Sequence, residues 1–136
     1  MDVELDIQIF TPDNERRQRS RDYVEQYGMF EGCPLVRALD IVRRKWAIQI
    51  VTTLYRHDEP VRFNQLEREL APITQKELTK RLRELEQTGI ISRTIYPEVP
   101  PRVEYELTES GIAFKQALGV LGDWSRQYYG VENRDF

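Results

Sequence analysis

The alternation of apolar and polar residues is clearest over residues 74–89, where it predicts a single amphipathic helix. Its apolar stripe consists of three leucines at helical spacing, Leu78, Leu82 and Leu85. Thr74 and Glu77 have the spacing of a capping box, and Gly89 is suited to end a helix in a left-handed conformation. The sequence therefore marks both ends of this helix and the face that packs against a core.

The opposite face of the same helix carries cations and amides. It consists of Lys76, Lys80, Arg83 and Gln87, with Thr79 beside them and Gln75 in the exposed first turn. These side chains have the chemistry that phosphates and base edges accept. The same pattern is also typical of a solvated surface helix. The neighbouring elements decide between the two interpretations.

Two helices are predicted before this one, over residues 45–57 and residues 64–70. The apolar positions of the first include Trp46, Ala47, Ile48, Ile50, Val51 and Leu54. A helix this apolar is expected to be central, and the second is expected to be short and amphipathic. The second helix and the polar-faced helix are joined by a tight turn, which predicts a helix-turn-helix.

A β-hairpin is predicted directly after the polar-faced helix. Residues 91–96 and residues 102–107 alternate with the period of a strand. The proline-rich residues 97–101 cannot pair as a central strand and must connect the two. The hairpin places Arg93 near the start of one arm and Arg102 at the tip. The predicted fold class is mainly α with a small antiparallel β wing, a winged helix-turn-helix.

A long last helix is predicted from the cap residue Thr108 to about Tyr129. Its apolar residues at helical spacing are Phe114, Leu118, Leu121, Trp124 and Tyr128. A helix of ~20 residues spans ~30 Å, which exceeds what the core needs. We therefore predict that these residues form the interface of a homodimer, although packing within one chain would give the same pattern.

Residues 1–32 are interpreted as an N-terminal extension, with a helical arm over residues 13–27, and residues 130–136 as a tail. The winged domain then covers residues 33–129. The net charge is −3, but residues 1–33 carry −4 whereas residues 34–129 carry +2. The body is thus slightly basic, which permits a local basic face.

Composition excludes several other classes of protein. A single cysteine and a single histidine exclude an internal disulfide framework and the usual zinc sites. No apolar run approaches the ~20 residues of a membrane span. The sequence also lacks a glycine-rich phosphate loop and a nucleophile paired with a base. We expect a cytoplasmic protein that is not an enzyme, has no cofactor and does not bind a membrane.

Several short motifs, in this order, resemble the HxlR-type winged helix-turn-helix transcription regulators, which are MarR-like. They are Cys33-Pro34, Ala38-Leu39-Asp40, Lys45-Trp46, Arg62-Phe63-Asn64, Leu82-Arg83-Glu84-Leu85-Glu86 and Pro100-Pro101-Arg102-Val103-Glu104-Tyr105. The resemblance covers residues 33–129 and implies a homodimer, with N- and C-terminal helices at its interface, that binds double-stranded DNA. The chain departs from the family in Arg43-Arg44, where members usually have small residues, and in its long extension.

On this hypothesis the polar-faced helix enters the major groove and the protein regulates transcription, as a repressor, from a palindromic operator. The candidate DNA-contacting residues are Arg62, Asn64, Thr74, Gln75, Lys76, Thr79, Lys80, Arg83, Arg93 and Arg102. Gln75, Lys76, Thr79 and Lys80 are the candidates for base contacts, with a phosphate contact as the alternative for Lys80. The arginines, with Asn64, are the candidates for backbone contacts, with the minor groove as the alternative for the two arginines of the wing. The alternative is a winged helix used for protein–protein assembly without DNA readout.

Cys33 is the candidate for regulation. It directly precedes a predicted helix, a position at which cysteines are often reactive. The resemblance implies an oxidant or electrophile sensor, because some members use the equivalent cysteine in this way. A small buried hydrophobe is an equally good interpretation of Cys33. A small-molecule effector that is not an oxidant is also compatible with the sequence.

Overall fold

The computed structural model describes residues 13–130. The elements in chain order are α1 (Asn14–Tyr27), α2 (Pro34–Val42), α3 (Ala47–Arg56), β1 (Val61–Arg62), α4 (Phe63–Glu69), α5 (Gln75–Gln87), β2 (Ile91–Tyr96), β3 (Arg102–Leu107) and α6 (Glu109–Tyr129). They fall into two compact units. One consists of residues 41–117, and the other, among the described residues, of residues 13–40 and 118–130.

The three strands form one antiparallel sheet in the order β1-β3-β2. Strands β2 and β3 pair from Ile91 opposite Leu107 to Tyr96 opposite Arg102, which confirms the predicted hairpin with its predicted bounds. Strand β1 pairs with the other edge of β3, where Val61 lies opposite Tyr105. The mainly α fold with a small antiparallel wing is therefore confirmed, and the short segment before α4 adds a third strand.

The core of residues 41–117 is built around α5. The largest fully buried side chains are Ile50, Val51, Val61, Leu66, Leu78, Leu82 and Ile91. The leucine stripe of α5 is buried as predicted, with Leu85 4% exposed. Because α3, α4 and the sheet all contribute to this cluster, α5 is fixed along its whole apolar face. Its polar face remains directed away from the core.

The predicted inward face of α3 was wrong at Ile48, which is 46% exposed. The helix begins only at Ala47, because Trp46 precedes it with a left-handed φ of 72°. Ala47, Ile50 and Leu54 then share the buried face at helical spacing, and Ile48 lies one position outside it.

The start of α6 is fixed by Thr108, as predicted. Its hydroxyl oxygen accepts a hydrogen bond from the Gly111 N–H at 3.0 Å, and its hydroxyl group donates to the Ile90 carbonyl at 3.1 Å. Gly111 is buried against the Ile90 carbonyl so closely that a Cβ there would collide with it. Phe114, one turn further along, is half-buried and packs against the core.

The other unit contains α1, most of α2 and the last part of α6. Helix α1 lies where a helical arm was predicted, and the Asp13 carboxylate caps it by accepting from the Arg16 N–H at 2.6 Å. None of the residues of α1 is buried. Tyr23 and Tyr27 pack edge to face, with their ring centroids 5.8 Å apart.

Candidate nucleic-acid interface

Helix α5 begins with the capping box that the sequence predicts. The Thr74 hydroxyl accepts from the Glu77 N–H at 3.1 Å, and the Glu77 carboxylate accepts from the Thr74 N–H at 3.4 Å. The first turn is thereby ordered, and Gln75 and Lys76 on it are exposed. Lys80, one turn further along, is exposed as well. The start of α5 therefore presents its polar side chains to solvent on a rigid helix.

A cleft of about 530 Å³ separates α5 from the wing. Five predicted DNA-contacting residues line it, namely Arg62, Asn64, Gln75, Thr79 and Arg102. They come from β1, α4, α5 and β3, and the fold brings them to one concave surface. Arg83 and Arg93 line a different, smaller cavity with Glu86 and Gln87. Thr74, Lys76 and Lys80 line neither cavity.

Three of the four arginines predicted to contact the DNA backbone already have carboxylate partners in the protein. Arg102 lies 3.2 Å from Glu98 and 3.4 Å from Glu104, and its guanidinium stacks on the Tyr96 ring at 4.0 Å. Arg62 shares Glu104 with it at 3.9 Å. The pairing of Arg62 was not predicted, because the register of β1 with β3, which places Arg62 opposite Glu104, is not visible in the sequence.

Arg93 is paired in the same way, with Glu86 of α5 at 3.5 Å.

The surroundings of three other predicted cations differ from those of the paired arginines. These cations are Lys76, Lys80 and Arg83, all on α5. Within residues 13–130, no carboxylate lies within 4 Å of their charged groups, although opposite charges occur throughout the surface. Their full charge is therefore available to a ligand outside the chain.

A short segment before α3 contacts the side of α5 that carries Glu77 and Glu84. Arg44 lies 3.5 Å from Glu84, and Lys45 lies 3.4 Å from Glu77. The Trp46 indole N–H donates to the Glu77 carboxylate at 3.0 Å. Arg44, for which the sequence showed no partner, is thus accounted for by contacts within the fold.

Both carboxylates of this contact are favoured in their charged form. The hydrogen bond from the Trp46 indole, with those from Thr74 and Lys45, lowers the pKa of Glu77 from its ordinary value. Burial raises the pKa of Glu84, but the hydrogen bond and charge of Arg81, with the charge of Arg44, outweigh this effect and lower it. These contacts therefore stabilise the fold at neutral pH and lose that contribution as the pH falls through the lowered values.

Comparison with known proteins decides the family. The sequence model described as HxlR-like helix-turn-helix matches residues 41–133. The chain belongs to the HxlR-like helix-turn-helix family. It is 42% identical over 99 residues to the uncharacterized HTH-type transcriptional regulator YdeP of Bacillus subtilis (strain 168), covering 73% of this chain and 76% of YdeP. HxlR-like proteins of this kind are DNA-binding transcriptional regulators and not enzymes.

Two solved structures extend the comparison. The reduced form of the transcriptional regulator YodB from B. subtilis has a TM-score of 0.64 and 35% identity, covering 76% of this chain and 98% of that one. The redox regulator HypR in its oxidized form has a TM-score of 0.61 and 38% identity, covering 76% and 100%. The winged helix-turn-helix fold and the resemblance to the HxlR type are thereby confirmed.

Cys33 is half-buried in this HxlR-like chain and stands directly before α2. Its carbonyl accepts from the Arg37 N–H at 3.0 Å, and its own N–H donates to the Phe30 carbonyl at 2.9 Å. The backbone at Cys33 is therefore ordered, and part of its surface is accessible. The predicted sensor role stays a prediction.

The residues predicted for the dimer interface divide into two groups. Phe114 is half-buried and has a packing partner in the core of its own chain, and Leu118 is also half-buried. Leu121, Trp124 and Tyr128 are exposed by 51%, 38% and 60%. The interface itself stays a prediction.

His57 has the helix-end position that was predicted, but it also has a partner. It follows the last residue of α3, and its Nε2 lies 2.9 Å from the Glu69 carboxylate at the end of α4. This contact joins the end of α3 to the end of α4 that is remote from Arg62 and Asn64.

Within residues 13–130, none of the helices is long and apolar enough to cross a membrane.

Proposed function

We propose that this HxlR-like protein is a repressor that binds a palindromic operator in double-stranded DNA as a homodimer, in the cytoplasm. One observation carries the proposal: the exposed polar face of a capped, core-anchored α5 stands beside a cleft shared with the wing. A rigid helix with exposed amides and cations is what the major groove accepts. Gln75, Lys76, Thr79 and Lys80 are assigned to base contacts.

The remaining predicted residues are assigned to the sugar–phosphate backbone. Arg62 and Asn64 lie at the start of α4, and a helix N-terminus attracts anions. Arg102 lies on the wing, and Arg83 and Arg93 share the second cavity. Thr74 is assigned to the start of the groove contact because it caps α5. Base contacts set the sequence preference, and backbone contacts set the register.

The exposed apolar residues at the end of α6 support the proposed homodimer. Leu121, Trp124 and Tyr128 form an apolar surface that a second copy would cover. Two copies present two α5 helices, so the half-sites are expected about 10 base pairs apart or at a multiple of that spacing. Selection of bound duplexes from a random pool gives the operator and its symmetry. Light scattering of the purified chain gives its oligomeric state.

Replacing Arg102 with alanine is expected to weaken binding to the selected operator and to a scrambled duplex by the same factor, roughly fivefold, because a backbone contact is lost. The slope of log affinity against log salt should fall by about 1. Fluorescence anisotropy with labelled duplexes over a salt series measures both quantities.

Arg56→Ala is the matched control for Arg102→Ala. Arg56 is exposed at the end of α3, beside the contact of His57 with the far end of α4. We expect it to leave both the affinity and the salt slope nearly unchanged. If wild-type binding to duplexes shows no salt dependence, the protein is an assembly module instead, since a DNA-binding surface releases counterions.

An oxidant response is the second part of the proposal, and the similarity to HypR supports it. Because the chain has one cysteine, diamide can join Cys33 only to a second subunit or to a small thiol. Treatment with diamide is expected to yield a dimer band on non-reducing electrophoresis, or a mass adduct with added thiol, and to change operator affinity. Cys33→Ser should abolish each effect. An unmodified Cys33 after treatment, with unchanged affinity, would exclude the oxidant response.

A further inference from the structure

The segment between α2 and α3 makes three polar contacts with α5. Arg44 reaches Glu84 at 3.5 Å, Lys45 reaches Glu77 at 3.4 Å, and the Trp46 indole N–H donates to Glu77 at 3.0 Å. Glu77 and Glu84 are seven residues apart, which is nearly two full turns, so they lie on the same side of the helix. The segment therefore runs along one side of α5 for two turns. We refer to residues 44–46 as the bracing segment.

The conformation of Trp46 shows that the bracing segment is held in place. Its φ of 72° lies in the left-handed region, where a bulky side chain is rarely found. The Trp46 ring packs against the core, and the Lys45 ammonium lies 5.7 Å from the ring centroid. The fold therefore keeps Trp46 in an unfavourable backbone conformation, and the contacts of its side chain compensate for it.

Glu77 connects the bracing segment to the start of α5. It accepts the Trp46 indole N–H through one carboxylate oxygen and the Thr74 N–H through the other. The same side chain therefore takes part in both the brace and the capping box of α5. The first turn of the helix, with Gln75 and Lys76, is thus linked to the bracing segment by a single residue.

We infer that Trp46 and Glu77 are positioning residues that set the start of α5 for base readout. The inference rests on the proposed function, because it assumes that α5 reads bases. Neither residue belongs to the polar face assigned to DNA, and their effect is transmitted through the helix start. Base contacts require donors and acceptors to match a fixed pattern on the base edge, whereas a phosphate contact from a flexible arginine tolerates more movement. The brace therefore controls sequence discrimination more than general affinity for DNA.

Trp46→Phe tests the inference because it removes the indole N–H and keeps an aromatic ring in the core. We expect affinity for a duplex selected from a random pool to fall about 3- to 10-fold, the effect of one hydrogen bond. Affinity for a scrambled duplex of the same length should not change. Anisotropy measures both affinities, and far-UV circular dichroism shows that the variant is folded.

Glu77 offers a matched pair of variants. Glu77→Gln keeps an oxygen that can accept the indole N–H and a side chain that can complete the capping box, so discrimination should stay close to that of the wild type. Glu77→Ala removes both and should lose discrimination as Trp46→Phe does. The double variant should lose no more discrimination than Glu77→Ala alone, because Glu77→Ala already removes the contact that Trp46→Phe breaks.

A spectroscopic readout separates positioning from a merely structural role. In a Trp124→Phe background, Trp46 is the only tryptophan, and its emission reports on the brace directly. We expect Glu77→Ala to shift that emission and Glu77→Gln to leave it near the original wavelength.

These experiments distinguish a failure of the positioning role from a failure of the proposed function. If the wild type itself does not discriminate the selected duplex from the scrambled one, the proposed function is wrong. If the wild type discriminates and a folded Trp46→Phe variant discriminates equally well, only the positioning role is overturned. Equal losses of Trp46→Phe on both duplexes would also overturn it, because the brace would then affect general affinity alone.

Discussion

Replacing Leu82 with alanine is expected to lower the free energy of unfolding by about 2–5 kcal/mol. Leu82 is 1% exposed in the middle of α5, between Leu78 and Leu85 on the same buried face. Truncation removes apolar contacts and leaves a cavity that α3, α4 and the sheet cannot fill without moving. Since α5 is the element to which the rest of the core is fixed, the site should collapse poorly and the loss should be large.

Urea denaturation followed by far-UV circular dichroism measures this loss. The variant and the wild type must be compared at one protomer concentration, because the stability of a dimer depends on it. Lys80→Ala is the control, two residues earlier on the exposed face of the same helix, and should change the unfolding free energy by less than about 0.5 kcal/mol. A loss below about 1 kcal/mol for Leu82→Ala would show that α5 is not the centre of the core.

The sequence predicted α5 well because its determinants are local. The capping box of Thr74 and Glu77 and the leucine stripe each depend on residues within a few turns of one another, and the structure has both. The same holds for β2 and β3, whose alternation is a property of each strand alone. Local signals of this kind are sufficient for a winged helix-turn-helix.

Contacts between residues distant in the sequence were not predictable in the same way. Arg62 lies 3.9 Å from Glu104 only because β1 pairs with β3 in one register. The left-handed backbone of Trp46, after which α3 begins, was not predicted either, nor was its side-chain hydrogen bond to Glu77, 31 residues away. Sequence patterns identify which face of an element is polar, but not which of its charges are already paired.

The candidate DNA-contacting residues can be ranked by whether their charge is already paired with a carboxylate. Arg62, Arg93 and Arg102 must exchange or share a carboxylate before they hold a phosphate, which reduces the gain from each contact. Among the described residues, Lys76 and Lys80 have no carboxylate within 4 Å. The lysines of α5 should therefore contribute more to operator binding than the arginines of the wing.

The double variant Lys76→Ala/Lys80→Ala is accordingly expected to show the largest loss of operator binding. Each base-reading residue contributes about 1–3 kcal/mol, so the two together should weaken binding roughly 30-fold or more. The two positions are one helical turn apart and their effects are expected to couple, so the single variants should be measured as well. The preference for the selected operator over a scrambled duplex should fall at the same time.

The control is the double variant Lys115→Ala/Arg56→Ala. It removes the same number of positive charges from the same compact unit, residues 41–117. Lys115 lies on α6, 5.5 Å from the Tyr55 ring, and Arg56 ends α3, so neither belongs to the polar face of α5. Anisotropy at several salt concentrations should show that this control keeps the operator preference. Equal losses in both double variants would mean that binding follows the total charge of the protein, and α5 could then not be the element that reads the operator.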